Sequence, residues 1–104
     1  MANHHRGDVD LVLPTGTLTL RLTLGALAEI ETALAVPDLM ALGERMQAGR
    51  LAARDLIVLT GAAVRGGGQA LGDRDLAALL SAADIPALVT ALGQLFAQTF
   101  GEAA

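Results

Sequence analysis

The chain has no cysteine, no lysine, no tryptophan and no tyrosine, and a single serine, Ser81, in 104 residues. Each absence removes a class of function. Without cysteine there is no disulfide, no thiolate metal site and no thiol nucleophile. With aromatic residues at 2% there is little to stack on bases or to cage a ligand cation. Without lysine the phosphate-cradling sequence GxxxxGK[ST] cannot occur, so the run Gly66-Gly67-Gly68 reads as a helix stop and flexible joint. Ser81 has no histidine outside the pair His4-His5 to serve as its base, which leaves no nucleophilic triad.

The charge balance is equally restrictive. All seven cationic residues are arginines, spread from Arg6 to Arg74, and the formal net charge is −4. Nucleic-acid binding calls for a basic face, which this chain does not offer. Mean hydropathy is positive at +0.52, yet no uninterrupted apolar run approaches the roughly 18 to 20 residues that span a bilayer. The opening MANHHRGDVD lacks the apolar centre of a signal peptide. The expectation is a soluble protein of the cytoplasm, with no membrane and no nucleic-acid partner.

What the chain does have is aliphatic pattern, at 53% hydrophobic residues. The stretch Thr17 to Leu34 organises the rest. Its first half alternates, with Leu18, Leu20, Leu22 and Leu24 on one side of an extended chain and Thr17, Thr19, Arg21 and Thr23 on the other. Its second half changes period, with Leu27, Ile30 and Leu34 recurring as on one face of a helix. Upstream, Asp8 to Leu13 also alternates, and Pro14-Thr15-Gly16 supplies a turn with glycine at the left-handed position. The two strands form a hairpin, which is marginal alone and needs helices as cover.

The helices follow in order. Thr23 caps the first, which ends before Pro37. A second starts at Pro37 or Asp38, carries Leu39, Leu42 and Met46 in register and stops at Gly49. A third runs from Ala53 to Arg65. Its segment Leu56-Ile57-Val58-Leu59 is apolar on every side, which calls for a central, buried position. Asp73 caps a fourth, with Leu76, Leu79 and Leu80, and Asp84 caps a fifth, closed by Gly101. The fifth carries one broad stripe: Ile85, Leu88, Val89, Leu92, Leu95, Phe96 and Phe100. The reading is an α+β fold in one domain over residues 8–101, an N-terminal β-hairpin packed against four to five short α-helices, after a flexible tail of residues 1–7. A chain of this length buries roughly two-thirds of its unfolded surface, enough for one core.

Candidate chemistry is thin. His4 and His5, with Asp8 and Asp10, are metal-ligating types, but adjacent rings in a polar tail point apart and lack a fixed second shell. Glu29 and Glu31 diverge on a helix, Asp73 and Asp75 fit a first helical turn, and Arg54 and Asp55 read as surface residues at a helix start. No catalytic, cofactor or metal site is expected, and no enzyme. Association is what remains. The aliphatic positions outnumber those one hairpin face can cover, which points to a homo-oligomer or an obligate partner. The C-terminal stripe either buries against the hairpin, the favoured reading, or is partly left for a partner. Leu92, Phe96 and Phe100 are the candidate partner contacts, with the third helix as the alternative.

Three segments in order, TLTLRLTLGALAEIETAL, GRLAARDLIVLTGAAVRGGG and GDRDLAAL, resemble the small tail-assembly-chaperone-like proteins of gene transfer agents. That family, with relatives in siphophage-like prophages, is also described as phage tail tube proteins. The resemblance covers Arg6 to Leu80. It is most specific at Leu20 to Glu31 and at Arg65 to Gly68, whereas the last helix is similar in character rather than in motif. One departure is Ala53, where such a protein would carry a serine cap. The resemblance implies a role in virion morphogenesis: binding the long, aggregation-prone tape measure protein while the tail forms, then yielding it to tail tube subunits. It also implies a place in the bacterial host's cytoplasm or in the particle. A structural tail tube or connector subunit that stays in the particle is the alternative, and an unrelated regulatory adaptor is the third. The family brings no catalytic or binding residues to carry over. With only two readable strands, the chaperone is favoured over a tube subunit, whose ring needs more sheet.

Overall fold

The computed structural model describes residues 7–49 and 51–100, without the side chains of Gln47 and Phe100. Strands β1 (Val9–Leu13) and β2 (Gly16–Leu20) pair antiparallel, with Val9 opposite Leu20 and Leu11 opposite Leu18. Five helices follow: α1 (Leu24–Leu34), α2 (Leu39–Ala48), α3 (Ala53–Gly66), α4 (Asp73–Leu79) and α5 (Ile85–Phe100), the last entered through a 3-10 turn at Ala82–Asp84. This is the α+β hairpin-and-helices architecture that the alternation and the helical periodicity imply.

Leucine alternation puts Val9, Leu11, Leu13, Leu18 and Leu20 on one face of the hairpin, and all are buried. They pack on Ala63 and Val64 of α3, Leu76 of α4 and Leu88, Ala91 and Leu95 of α5. A second cluster joins Leu27, Ile30 and Leu34 of α1, Leu42 of α2, Leu56, Leu59 and Ala62 of α3, and Leu92 and Phe96 of α5. Leu22 touches both clusters. α3 therefore runs through the middle, as its all-round apolar segment requires, and α5 divides its stripe between the two halves of the core.

The strand is shorter than its alternation. β2 stops at Leu20, and Leu24 is 82% exposed. Thr23 explains this: its Oγ1 accepts from Ala26 N at 3.0 Å, so Leu24 is already the first residue of α1 and follows helical, not strand, geometry. The turn is Pro14-Thr15, and Gly16, at φ +147°, belongs to β2. α1 ends at Ala35 in the left-handed region, φ +55°, with its N–H on the carbonyl of Thr32. Asp38 and Gly49 bound α2 as expected, Asp38 Oδ1 accepting from Ala41 N at 2.9 Å.

Three capping expectations change. The N-cap of α4 is Gly72, and Asp73 sits in the first turn, where its carboxylate meets Arg65. The helical run into α5 starts one turn early, at Ser81, whose N–H donates to Asp84 Oδ2 at 2.8 Å. The N-cap of α3 is Ala52 rather than Ala53, and it has no side-chain oxygen to offer. Asp55 fills part of that gap by accepting from Ala52 N at 2.9 Å.

The glycine run is a tight joint, not a flexible one. Gly66 is the last residue of α3 and Gly67 its C-cap. A Cβ on Gly66 would collide with the carbonyl oxygen of Arg21, and one on Gly67 with that of Thr19. The backbone of β2 lies directly against the end of α3, and Arg21 N donates to Ala63 O at 3.0 Å. Glycine is there because nothing larger fits. Only Gly68, at φ +102°, answers to conformational freedom.

Candidate functional site

The residues singled out by their chemistry are mostly engaged in structure. Asp8 takes Arg21 with both oxygens, at 2.9 and 3.0 Å, and its side chain is almost wholly buried. Asp55, expected at the surface, is 3% exposed. Its Oδ2 accepts from Ala52 N and, at 3.0 Å, from Arg45 Nη2, while Arg45 Nη1 reaches Leu34 O. One carboxylate thus ties the start of α3 to α2, and α2 to the end of α1. The Ala52 N–H first, then the guanidinium, hold the Asp55 carboxyl below the usual range against the opposing effect of burial. Arg65 joins α1 to α4, donating to Glu29 at 2.7 Å and to Asp73 at 3.0 Å, with a further bond to Leu71 O. These are fold-holding contacts.

Among the described residues no cluster of three or more His, Cys, Asp or Glu could hold a metal. His4 and His5 lie outside the described residues. No single helix is long and apolar enough to cross a membrane.

Of the candidate partner contacts, Leu92 is 1% exposed and Phe96 7%. Both belong to the core shared by α1, α3 and α5, so on this chain the stripe has its core role at these positions. The side chain of Phe100 lies outside the described residues. What α5 does expose is the start of the same stripe: Ile85 at 39% and Val89 at 51%. Periodicity marks all seven positions alike, and only packing tells the covered from the open ones.

Ile85 is one wall of a groove of about 240 Å³. Ala53, Leu56 and Ile57 of α3 form its floor, Ala77 and Leu80 on the α4 side the opposite wall, and its lining is almost wholly apolar. Arg54 and Arg74 flank it by helical spacing, Arg54 three residues before Ile57 and Arg74 three before Ala77. Both are exposed and, among the described residues, are the two arginines without a salt bridge or side-chain hydrogen bond. The third helix, named as the alternative contact from sequence, does contribute to an open surface here. The two arginines were not legible as a pair, because the acidic partners of the other arginines lie 8 to 36 residues away.

On the far side of α3 a second apolar surface is open. Met40 of α2 is 74% exposed and Leu39 38%, and Asp38 and Glu44 beside them are exposed acids without a salt bridge.

A family model described as "Phage tail tube protein, GTA-gp10" matches residues 6–102. No curated protein and no solved structure matches the chain.

Proposed function

The chain belongs to the phage tail tube protein family of gene-transfer-agent type, and from that premise we propose that it serves tail morphogenesis as an assembly chaperone for the tape measure protein. The observation that carries this reading is the sheet. It has two strands of five residues each. One face of that hairpin is spent on the protein's own core, and the outer edge of β2 lies against the end of α3. A subunit that closes a tube by sheet needs more strand than this. A helix-rich body with open aliphatic surface and an acidic balance suits the shielding of another protein's apolar helices.

The test is co-expression with the tape measure protein encoded in the same gene cluster, followed by light scattering on the purified complex. Soluble co-purification of a tape measure protein that is insoluble alone is the expected result. The reading fails if the tape measure protein stays insoluble and purified particles instead retain this chain in many copies. That outcome would give the function to the second reading, a tube or connector subunit resident in the particle, which the family's description favours.

A further inference from the structure

We propose that α2 is a built-in plug on a helix-binding site. With α2 displaced, the surface beneath it takes an amphipathic helix of another protein, one that carries a leucine and, three positions on, an arginine. The inference goes beyond the chaperone reading, because it holds equally for a subunit resident in the particle.

Three observations support it. The first is that α2 is weak as a helix without a packing reason. Gly43 stands in its interior, and a Cβ there would meet nothing within 4 Å. Alanine would fit and would favour the helix, in contrast to Gly66 and Gly67, where nothing larger fits. Its ten residues are too few to hold a helix alone. Ala35, at the joint between α1 and α2, is the one non-glycine residue with positive φ among the described residues. Such a conformation persists only where surrounding contacts enforce it. The second observation is how little holds α2. Its main packing is on α1, and of the side chains described in it Leu42 alone is buried, with Met46 half-buried against the same cluster. Its polar anchor is Arg45, which donates to Asp55 Oδ2 at 3.0 Å and to Leu34 O at 3.3 Å.

The third is what lies beneath. Leu42 belongs to the cluster that holds Ile30 and Leu34 of α1 with Leu56 and Leu59 of α3. Displacing α2 uncovers part of that aliphatic surface, and it takes from Asp55 the one ion-pair partner that this buried carboxylate has among the described residues. A buried carboxylate left without its cation is costly, so the vacated surface selects an occupant that returns one. The two acceptors, Asp55 Oδ2 and Leu34 O, suit the several donors of one guanidinium better than the point charge of an ammonium. The side chains now in place state the occupant's chemistry: Leu42, then Arg45 and Met46 three and four positions on, sharing one helical face. Aliphatic surface alone would take any amphipathic helix, and the carboxylate makes it specific for one with arginine.

The experiment uses the full chain, and its probe is a fluorescent, end-capped peptide of residues 38–49 of the same sequence, read by anisotropy. In the native chain α2 competes from its tether at an effective concentration on the order of millimolar, so the probe should bind weakly. Arg45→Gln in the chain loosens the plug, and the probe should then bind at least tenfold more tightly. The same peptide carrying Arg45→Gln should bind that chain at least tenfold more weakly than the native peptide. Gly43→Ala in the chain should tighten the plug and lower probe binding below the native level. Circular dichroism melts check that each variant folds. Hydrogen exchange on the native chain needs no loosened variant: the amides of α2 should exchange at least tenfold faster than those of α3, and Gly43→Ala should slow them. The proposal is overturned by α2 amides as protected as those of α3, by a folded Arg45→Gln chain that leaves the probe free, or by equal binding of the two peptides. A native dimer that the probe disperses would also overturn it, giving the site to α2 of a second copy.

Discussion

Gly66 rests against the carbonyl oxygen of Arg21 with no room for a methyl group between them. Alanine at this position is the better helix former by about 1 kcal/mol, but backbone has to move to admit it. Gly66→Ala is expected to destabilise the protein by about 1–3 kcal/mol, the usual range for an overpacked site. At this chain length that lowers the melting temperature by about 4–8 °C for each kcal/mol. A thermal melt followed by circular dichroism decides it; a raised melting temperature would show that the joint has slack.

Thr60 lies fully buried on α3, and its Oγ1 has no hydrogen-bond partner among the described residues. Removing an orphaned buried hydroxyl while keeping the shape of the side chain relieves a desolvation cost. Thr60→Val is expected to stabilise by about 1 kcal/mol, read as a higher urea midpoint with unchanged slope. A lower midpoint would mean that the hydroxyl is bonded in solution.

Asp55 makes stability depend on pH in a stated direction. Its folded-state pKa lies below the ordinary value, with Ala52 N–H as the first cause and Arg45 as the second after the opposing effect of burial. The stabilisation is therefore complete above the unfolded carboxylate pKa and is lost as pH falls through the depressed folded value. Asp55→Asn should cost about 1–3 kcal/mol at neutral pH, and the gap to the native chain should shrink on acidification. Urea titrations at a series of pH values would test this. A gap that stays constant down to the acid transition contradicts it.

Phe96 distinguishes core from contact surface. At 7% exposure within the cluster of α1, α3 and α5, it is expected to behave as core. Phe96→Ala should cost about 3–5 kcal/mol, and Phe96→Asp should abolish the cooperative melt. Val89→Asp, on the open part of the same helix, should leave the melt nearly unchanged. If Phe96→Asp melts like the native protein, α5 is not packed as described.

Much of this architecture was legible from periodicity. The hairpin, its leucine face and the five helices follow from alternation, from helical spacing and from Thr23, Asp38 and Gly49 at their ends. Apart from Leu24, which is decided by the adjacent Thr23, the misread positions share a cause: each is decided by a neighbour remote in sequence. Leu24 continues an alternation that Thr23 has already ended. Asp55 looks like a solvated first-turn acid until Arg45 is brought beside it. Gly66 and Gly67 look like breakers until β2 arrives against them. The site was legible only as surplus aliphatic residues, because the stripe on α5 does not record which of its members α3 and the hairpin cover.

The fit of β2 against the end of α3 has a consequence for synthesis. The hairpin, residues 9–20, leaves the ribosome well before Ala63 to Gly67, and earlier still than Leu88, Ala91 and Leu95, which complete its cover. At about 5–20 residues per second, the leucines of the hairpin wait several seconds for the helices that cover them. The fold closes only when its last helix is delivered. Until then the nascent chain presents the kind of aliphatic surface that other proteins need help to hide.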